Sequence, residues 1–230
     1  SDVAACWCLW LLLCRRRVPL DKARWLVVTW AAFPVFLMET ELAWIDSLLC
    51  ALLAATALLL ETGPGWALGV ALGTLFSTKQ YAMVPVLITL VWLVRAKGVR
   101  PAAVVAGWTG LTVLAWMLPF ALWDFQGLWN TCRMVLYHQI RADGFTVLSF
   151  LIHQHIWPGD HTAPISYLTA AAGAWWVLRR DRRLAAWGGA VVVALSCVFL
   201  LGVQAFCNYY FFVAFAALTW GALTVDPAEI

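Results

Sequence analysis

Long apolar segments separated by short charged ones make up most of the chain. Nine of these segments are predicted to cross a membrane as helices: residues 3–14, 25–38, 42–60, 66–77, 81–94, 102–122, 164–178, 184–202 and 205–224. Several are shorter than the roughly 20 residues that a perpendicular membrane helix needs. Because a helix satisfies its own backbone groups, helices are the expected spanning elements. The pattern therefore predicts an all-α, polytopic transmembrane helical bundle of about nine spans, forming a single domain over residues 1–230.

Composition supports a membrane environment. Apolar residues make up 64% of the chain, charged residues 12%, and the mean hydropathy is +0.84. A soluble domain of 230 residues could not bury so much apolar surface. Lipid is therefore the expected solvent for most of the chain.

The basic residues are distributed unevenly. Three clusters, at residues 15–24, 95–100 and 179–183, hold five, three and four of the 15 Lys and Arg residues. An even number of predicted spans separates each cluster from the next, so the positive-inside rule places all three in the cytoplasm. This orientation makes Lys79, His138, Asp160 and Asn208 external, and Arg16, Lys97 and Arg182 cytoplasmic.

The longest external segment contains a helical pattern of its own. From Phe125 to Arg141, apolar residues recur at helical spacing between polar ones, which is typical of an interfacial helix. Two roles remain open for it. The helix either lies on the bilayer and connects two spans, or covers a lipid-entry groove in which Arg133 or Arg141 attracts a phosphate.

Several short motifs follow one another in and between the predicted helices. In chain order they are Pro34, a short acidic turn, a helix start at Asp46-Ser47, Gly69-x-x-x-Gly73, Thr78-Lys79, Pro85, Arg141-Ala142-Asp143-Gly144 and Asn208-Tyr209-Tyr210. Their order resembles the GT-C superfamily of integral-membrane glycosyltransferases. Members of that superfamily carry an acidic catalytic motif in the first external loop, which this chain lacks. The resemblance therefore implies an N-terminally truncated chain, with the core and C-terminal part present and the general base expected upstream of Ser1.

The resemblance also implies an activity and its partners. We expect transfer of a hexosyl or mannosyl group from a polyprenyl-phosphate-linked sugar to a glycan, lipid or protein acceptor. The expected location is the non-cytoplasmic face of a bacterial plasma membrane, with membrane lipid as a partner and no nucleic acid. A divalent metal, Mg²⁺ or Mn²⁺, is compatible with this chemistry, but no residue is assigned as a metal ligand.

Candidate site residues follow from this chemistry. A carboxylate must remove a proton from the acceptor hydroxyl, and cations must stabilise the phosphate that leaves. The candidate catalytic carboxylates are Asp46, Glu41 and Glu39. The candidate substrate-binding residues are Lys79, Gln80, Arg141, Asp143, His138, Asn208 and Tyr209.

Alternatives remain open for these residues and for the protein class. Asp46, expected about one turn into its helix, could be a charge favoured by the helix dipole, and Lys79 could extend towards the lipid headgroups. A noncatalytic membrane scaffold or a degenerate family member is the main rival to an enzyme. A transporter is less favoured, because the predicted span centres contain almost no ionisable residues. If the site exists, Asp46 and Lys79 should border one external cavity, since their helices are joined by short turns.

Overall fold

The computed structural model describes residues 1–33, 45–136, 144–156, 163–202 and 205–225. The predictions made for Glu39, Glu41, His138, Arg141 and Asp143 lie outside these residues. In the described part all regular secondary structure is helical, which confirms the all-α class. The α-helices are α1 (Asp2–Arg15), α2 (Leu20–Ala31), α3 (Asp46–Thr62), α4 (Gly65–Thr78), α5 (Met83–Lys97), α6 (Val99–Trp123), α7 (Phe125–Leu136), α8 (Val147–His153), α9 (Ala163–Leu178), α10 (Leu184–Leu200) and α11 (Cys207–Thr224). A 3₁₀ turn, Gln80–Ala82, precedes α5.

Some predicted boundaries were wrong. Helix α2 starts at Leu20, five residues before the predicted span, because Asp21 and Lys22 stand on an exposed first turn where charged side chains reach water. An acidic residue such as Asp21 is also favoured at a helix N-terminus. Helices α5 and α6 both extend to the connection at Gly98, whose φ of 93° permits a sharp reversal that other residues rarely adopt.

Two helices are long and apolar enough to cross a membrane. They are Gln80–Lys97 and Val99–Trp123, and only 11% of the most apolar window of the second is buried within the protein. Gly65–Thr78, Ile165–Leu178 and Leu184–Leu200 are apolar but shorter. The expectation of about nine spans therefore stays a prediction.

Helix α3 connects two chemically different ends of the bundle. At its C-terminal end, Glu61 pairs with Arg15 at 3.0 Å and with Arg16 at 2.5 Å, and Lys97 donates a hydrogen bond to the Leu60 carbonyl at 2.7 Å. Asp46 begins the helix at the other end. Since an α-helix rises about 1.5 Å per residue, roughly 24 Å separates the two ends of α3. We call these the Arg16 end and the Asp46 end.

The two glycines of the predicted motif hold helices α4 and α6 together. A Cβ atom on Gly69 would lie 2.3 Å from the Trp108 Cβ, and one on Gly73 would lie 2.5 Å from the Thr112 Cβ. Backbones that approach this closely require residues without side chains. The Gly69-x-x-x-Gly73 motif therefore has a packing role between α4 and α6.

Large aromatic side chains fill the core around α10 and α11. Trp187, Phe199, Phe211, Phe212 and Phe215 are almost completely buried. Phe199 contacts the ring of Tyr81 edge-on, with 4.9 Å between ring centroids. Tyr209 and Phe212 of α11 also contact the Tyr81 ring, so the end of α10 and the start of α11 both pack against the 3₁₀ turn at the Asp46 end.

A helix, α7, is present over the first part of the segment predicted as an interfacial helix, and its position at a membrane interface stays a prediction. It runs from Phe125 to Leu136 and exposes Phe125 and Trp129, with 65% and 57% of their surface accessible. Its packing partner among the described helices is α6. The choice between a connecting helix and a groove cover stays open.

Candidate functional site

Asp46 is the centre of a buried polar cluster. It is the first residue of α3, not one turn inside it as predicted, and it has no exposed surface. The helix begins there without a side-chain cap, so the carboxylate is available for partners from other helices. A buried carboxylate is stable only when it is paired and hydrogen-bonded.

Three side chains from distant parts of the chain donate to this carboxylate. The Lys79 Nζ lies 2.6 Å from Oδ2, and the Asn208 Nδ2 donates to the same oxygen at 2.8 Å. The Tyr81 hydroxyl donates to Oδ1. The cluster therefore joins α3, the connection after α4 and the first turn of α11.

Backbone geometry directs Lys79 towards Asp46. Helix α4 ends at Thr78, and Lys79 is extended, with φ −151° and ψ 147°, before the 3₁₀ turn begins. The backbone of Lys79 therefore no longer follows the helical geometry of α4. Short connections on both sides of α4 keep it beside α3, and Asp46 and Lys79 lie in contact. Their predicted position on one external cavity stays a prediction, and Asp46 itself is fully buried.

Two aromatic rings complete the surroundings of the ammonium group. The Lys79 Nζ lies 5.4 Å from the ring centroid of Tyr81 and 5.3 Å from that of Tyr209. Both distances are within the range of cation–π attraction. The Lys79 side chain is nevertheless 23% exposed, whereas the Asp46 side chain is not exposed at all. A ligand approaching this cluster would therefore meet the lysine first.

The geometry gives the two charged residues different chemical capabilities. Both oxygens of Asp46 already accept hydrogen bonds, and the group is closed to solvent, so it is placed to hold Lys79 and not to reach an acceptor hydroxyl. An ammonium group has three donors, of which one points to Asp46. The arrangement can present a fixed positive charge to an anion.

The other predicted binding residues lie close to this cluster where they are described. Asn208 is buried within it, Tyr209 is half-buried beside Lys79, and Gln80 is exposed directly after Lys79. Glu39, Glu41, His138, Arg141 and Asp143 cannot be compared, because they are outside the described residues. Among the described residues, no group of three or more His, Cys, Asp or Glu side chains is placed to hold a metal ion.

The end of the predicted Arg141-Ala142-Asp143-Gly144 motif approaches the Asn208 motif. The next residue, Phe145, donates its N–H to the Ala205 carbonyl at 2.7 Å, and its own carbonyl accepts from the Tyr210 hydroxyl at 2.5 Å. These bonds attach the start of the residue 144–156 segment to the beginning of α11. The described residues that directly follow this motif thus lie beside the start of α11 at the Asp46 end.

Tyr81 was missed in the sequence analysis. It is the first residue of the predicted span 81–94 and was not assigned to the site. Its position two residues after Lys79 was the available signal. A residue that carries both a hydroxyl and an aromatic face can contact a carboxylate and a cation together.

The chain is an all-helical protein with a charged cluster at one end of its bundle, and comparison with known proteins assigns its family. The model of glycosyltransferase family 87 matches residues 1–202. The chain belongs to this family of membrane-associated glycosyltransferases. No curated protein and no solved structure matches it.

Proposed function

We propose that the protein transfers a sugar from a polyprenyl-phosphate donor to an acceptor at the non-cytoplasmic face of a membrane, as a GT-C-type enzyme. The observation that carries this proposal is the Lys79 ammonium group, fixed 2.6 Å from a fully buried carboxylate and still partly exposed. When the sugar is transferred, its bond to the phosphate breaks and polyprenyl phosphate leaves. A positioned cation stabilises the negative charge that develops on that phosphate.

Asp46 acts in this proposal as a positioning residue. It holds the lysine through an ion pair, while the rings of Tyr81 and Tyr209 limit where the ammonium group can move. Preorganisation matters because a cation that is already oriented needs no reorganisation during the reaction. Asn208 supports the carboxylate, and Gln80 is placed to contact the donor.

The acceptor side of the reaction requires a base that touches the acceptor. Glu39 and Glu41 remain the candidates within this sequence, because they precede Asp46 by a few residues and carry the required carboxylate. Arg141 and Asp143 are proposed to contribute to substrate binding because they precede Phe145 by a few residues in the sequence, and Phe145 is hydrogen-bonded to Ala205 and Tyr210. His138 is proposed for the same role on its sequence position alone.

Binding of the lipid phosphate distinguishes the proposed enzyme from a noncatalytic scaffold. The full chain in detergent would be titrated with undecaprenyl phosphate and followed by native mass spectrometry. Lys79→Met should weaken binding at least about tenfold, and Lys79→Arg should retain part of it, because arginine keeps the charge but not the geometry. Arg100→Gln, which removes an exposed cation from the start of α6, is the control. Equal binding by Lys79→Met and the unchanged chain would favour a purely structural ion pair.

A further inference from the structure

A deep apolar cleft separates α2 from α11. It has a volume of about 880 Å³, within the range of about 300 to 1,000 Å³ that is typical of ligand sites. Each helix contributes one face with residues at positions i, i+3, i+4, i+7, i+8 and i+11, counted from Lys22 on α2 and from Ala214 on α11. Faces with this spacing normally pack against a neighbouring helix, and here they line an open volume.

The α11 wall of the cleft is formed largely by small residues. Ala214, Ala217, Gly221 and Ala222 line it, and a Cβ on Gly221 would have no neighbour within 4 Å. The α2 wall carries Trp25, with 70% of its surface exposed, and Leu26, with 39% exposed. A hydrocarbon chain therefore finds both the space and the apolar surface that it needs.

The two ends of the cleft differ. Towards the Asp46 end, Trp30 stacks on Phe211 with 4.4 Å between ring centroids, and Phe33 stacks on the same indole. This aromatic stack lies between the cleft and the Asn208 turn of α11. At the other end, Lys22 itself lines the cleft.

Positive charge accumulates around the Lys22 opening. Lys22 lines the cleft, within a stretch from Arg15 to Arg24 that holds five cations. The carboxylates paired with this stretch are Asp21, 3.7 Å from Arg24, and Glu61, which pairs with Arg15 and Arg16, so an excess of positive charge remains. A second pocket of about 340 Å³ shares Val225 with the cleft and is lined in part by Arg16 and Arg183, which are paired with Glu61 and Asp181. The opening is thus complementary to an anionic headgroup.

We propose that the cleft binds an acidic phospholipid, with one acyl chain between α2 and α11 and the phosphate headgroup at Lys22. The cluster of cations selects an acidic lipid over a zwitterionic one, because each Lys or Arg near a membrane surface contributes about 1 kcal/mol to binding an anionic lipid, or roughly fivefold in affinity. This lipid is distinct from the sugar donor. The donor phosphate belongs at Lys79, at the opposite end of the bundle.

Photolabelling tests the proposal. The full chain is reconstituted in phosphatidylcholine vesicles that contain a trace of phosphatidylglycerol or of phosphatidylcholine, each with a diazirine on one acyl chain, and the labelled peptides are mapped. The phosphatidylglycerol probe should label the peptides of α2 and α11 several-fold more than the phosphatidylcholine probe. Equal labelling by the two probes overturns the assignment to an acidic lipid.

Two variants with matched controls locate the site. Gly221→Leu should fill the cleft and reduce labelling of the α2 peptide about fivefold or more, while Gly110→Leu on α6, where a Cβ also has no neighbour within 4 Å, should leave it unchanged. Lys22→Gln should reduce the preference for phosphatidylglycerol about fivefold, and Arg100→Gln, exposed at the start of α6, should not. Unchanged labelling in Gly221→Leu and Lys22→Gln would overturn the proposal. Loss of lipid labelling on addition of undecaprenyl phosphate would assign the cleft to the chain of the sugar donor and would also overturn the proposal. If the donor does not bind at Lys79, the proposed function fails, but the phosphatidylglycerol labelling of the cleft should remain.

Discussion

Lys79 and Asp46 are 33 residues apart in the sequence and form an ion pair at 2.6 Å at one end of the helical bundle. Asp46 is completely buried, whereas Lys79 retains access to solvent. This asymmetry determines how the pair can act. The carboxylate fixes the lysine, and the lysine is the partner that a ligand can reach.

The ion pair predicts strong energetic coupling between its two residues. Asp46→Asn leaves the ammonium group without a counterion, and Lys79→Met leaves a buried carboxylate with only neutral donors, so each change should cost about 3 kcal/mol in the free energy of unfolding. The double variant should cost clearly less than the sum of the two, since it removes both charges. Denaturant unfolding in detergent micelles measures all three values.

An exposed ion pair, Arg24 with Asp21, supplies the control for these three stability measurements. Arg24 and Asp21 lie 3.7 Å apart with 63% and 90% of their side chains exposed, so Arg24→Gln should change the unfolding free energy by less than about 0.5 kcal/mol. Additive effects of Asp46→Asn and Lys79→Met would contradict the coupling, and the Asp46–Lys79 contact would then be energetically unimportant.

The contact between α4 and α6 predicts a steric effect at Gly73. A Cβ there would lie 2.5 Å from the Thr112 Cβ and 2.7 Å from the Thr109 carbonyl oxygen, so Gly73→Ala should push the two helices apart and cost roughly 1 to 3 kcal/mol. Gly110→Ala meets no atom within 4 Å and should be neutral or slightly stabilising, because alanine favours the helix. Thermal unfolding of the two variants should differ accordingly. A Gly73→Ala protein as stable as Gly110→Ala would contradict the close packing.

The Asp46 end and the Arg16 end are proposed to lie on opposite sides of the membrane, which predicts different accessibility of cysteines placed at each end. Gln80 is exposed next to Lys79, and Arg100 is exposed three residues after Lys97 at the Arg16 end. In a background without the natural cysteines, Gln80→Cys should react with an impermeant maleimide on intact cells, and Arg100→Cys only after permeabilisation. Labelling of both on intact cells would contradict the proposed orientation.

The sequence predicted the helical architecture and part of the cluster for a clear physical reason. Apolar segments bounded by charges specify helices in lipid, and the short connections around α4 require Asp46 and Lys79 to be neighbours. Asn208 was assigned to the site from its motif, and the structure places it on the same carboxylate oxygen as Lys79. These relationships depend on local order along the chain.

Other features depend on tertiary packing and could not be predicted in the same way. Tyr81 has the sequence context of an interfacial aromatic residue, and only the extended conformation of Lys79 brings its hydroxyl to Asp46. The start of α2 was placed too late, because charges on an exposed first turn have the composition of a loop. The cleft between α2 and α11 was also missed, since a helical face with apolar spacing has the same pattern whether or not another helix covers it.

The most direct test of the proposed function is sugar transfer by charge variants of Lys79 in the full chain. Transfer from a radiolabelled polyprenyl-phosphate sugar would be measured for Lys79→Ala, Lys79→Met and Lys79→Arg, with melting temperatures recorded for each to separate activity from folding. Loss of a cation that stabilises the leaving phosphate should reduce kcat about 100-fold in Lys79→Ala and Lys79→Met, and Lys79→Arg should retain part of the activity. Full activity in the folded Lys79→Met protein would contradict the account and leave Lys79 with a structural role alone.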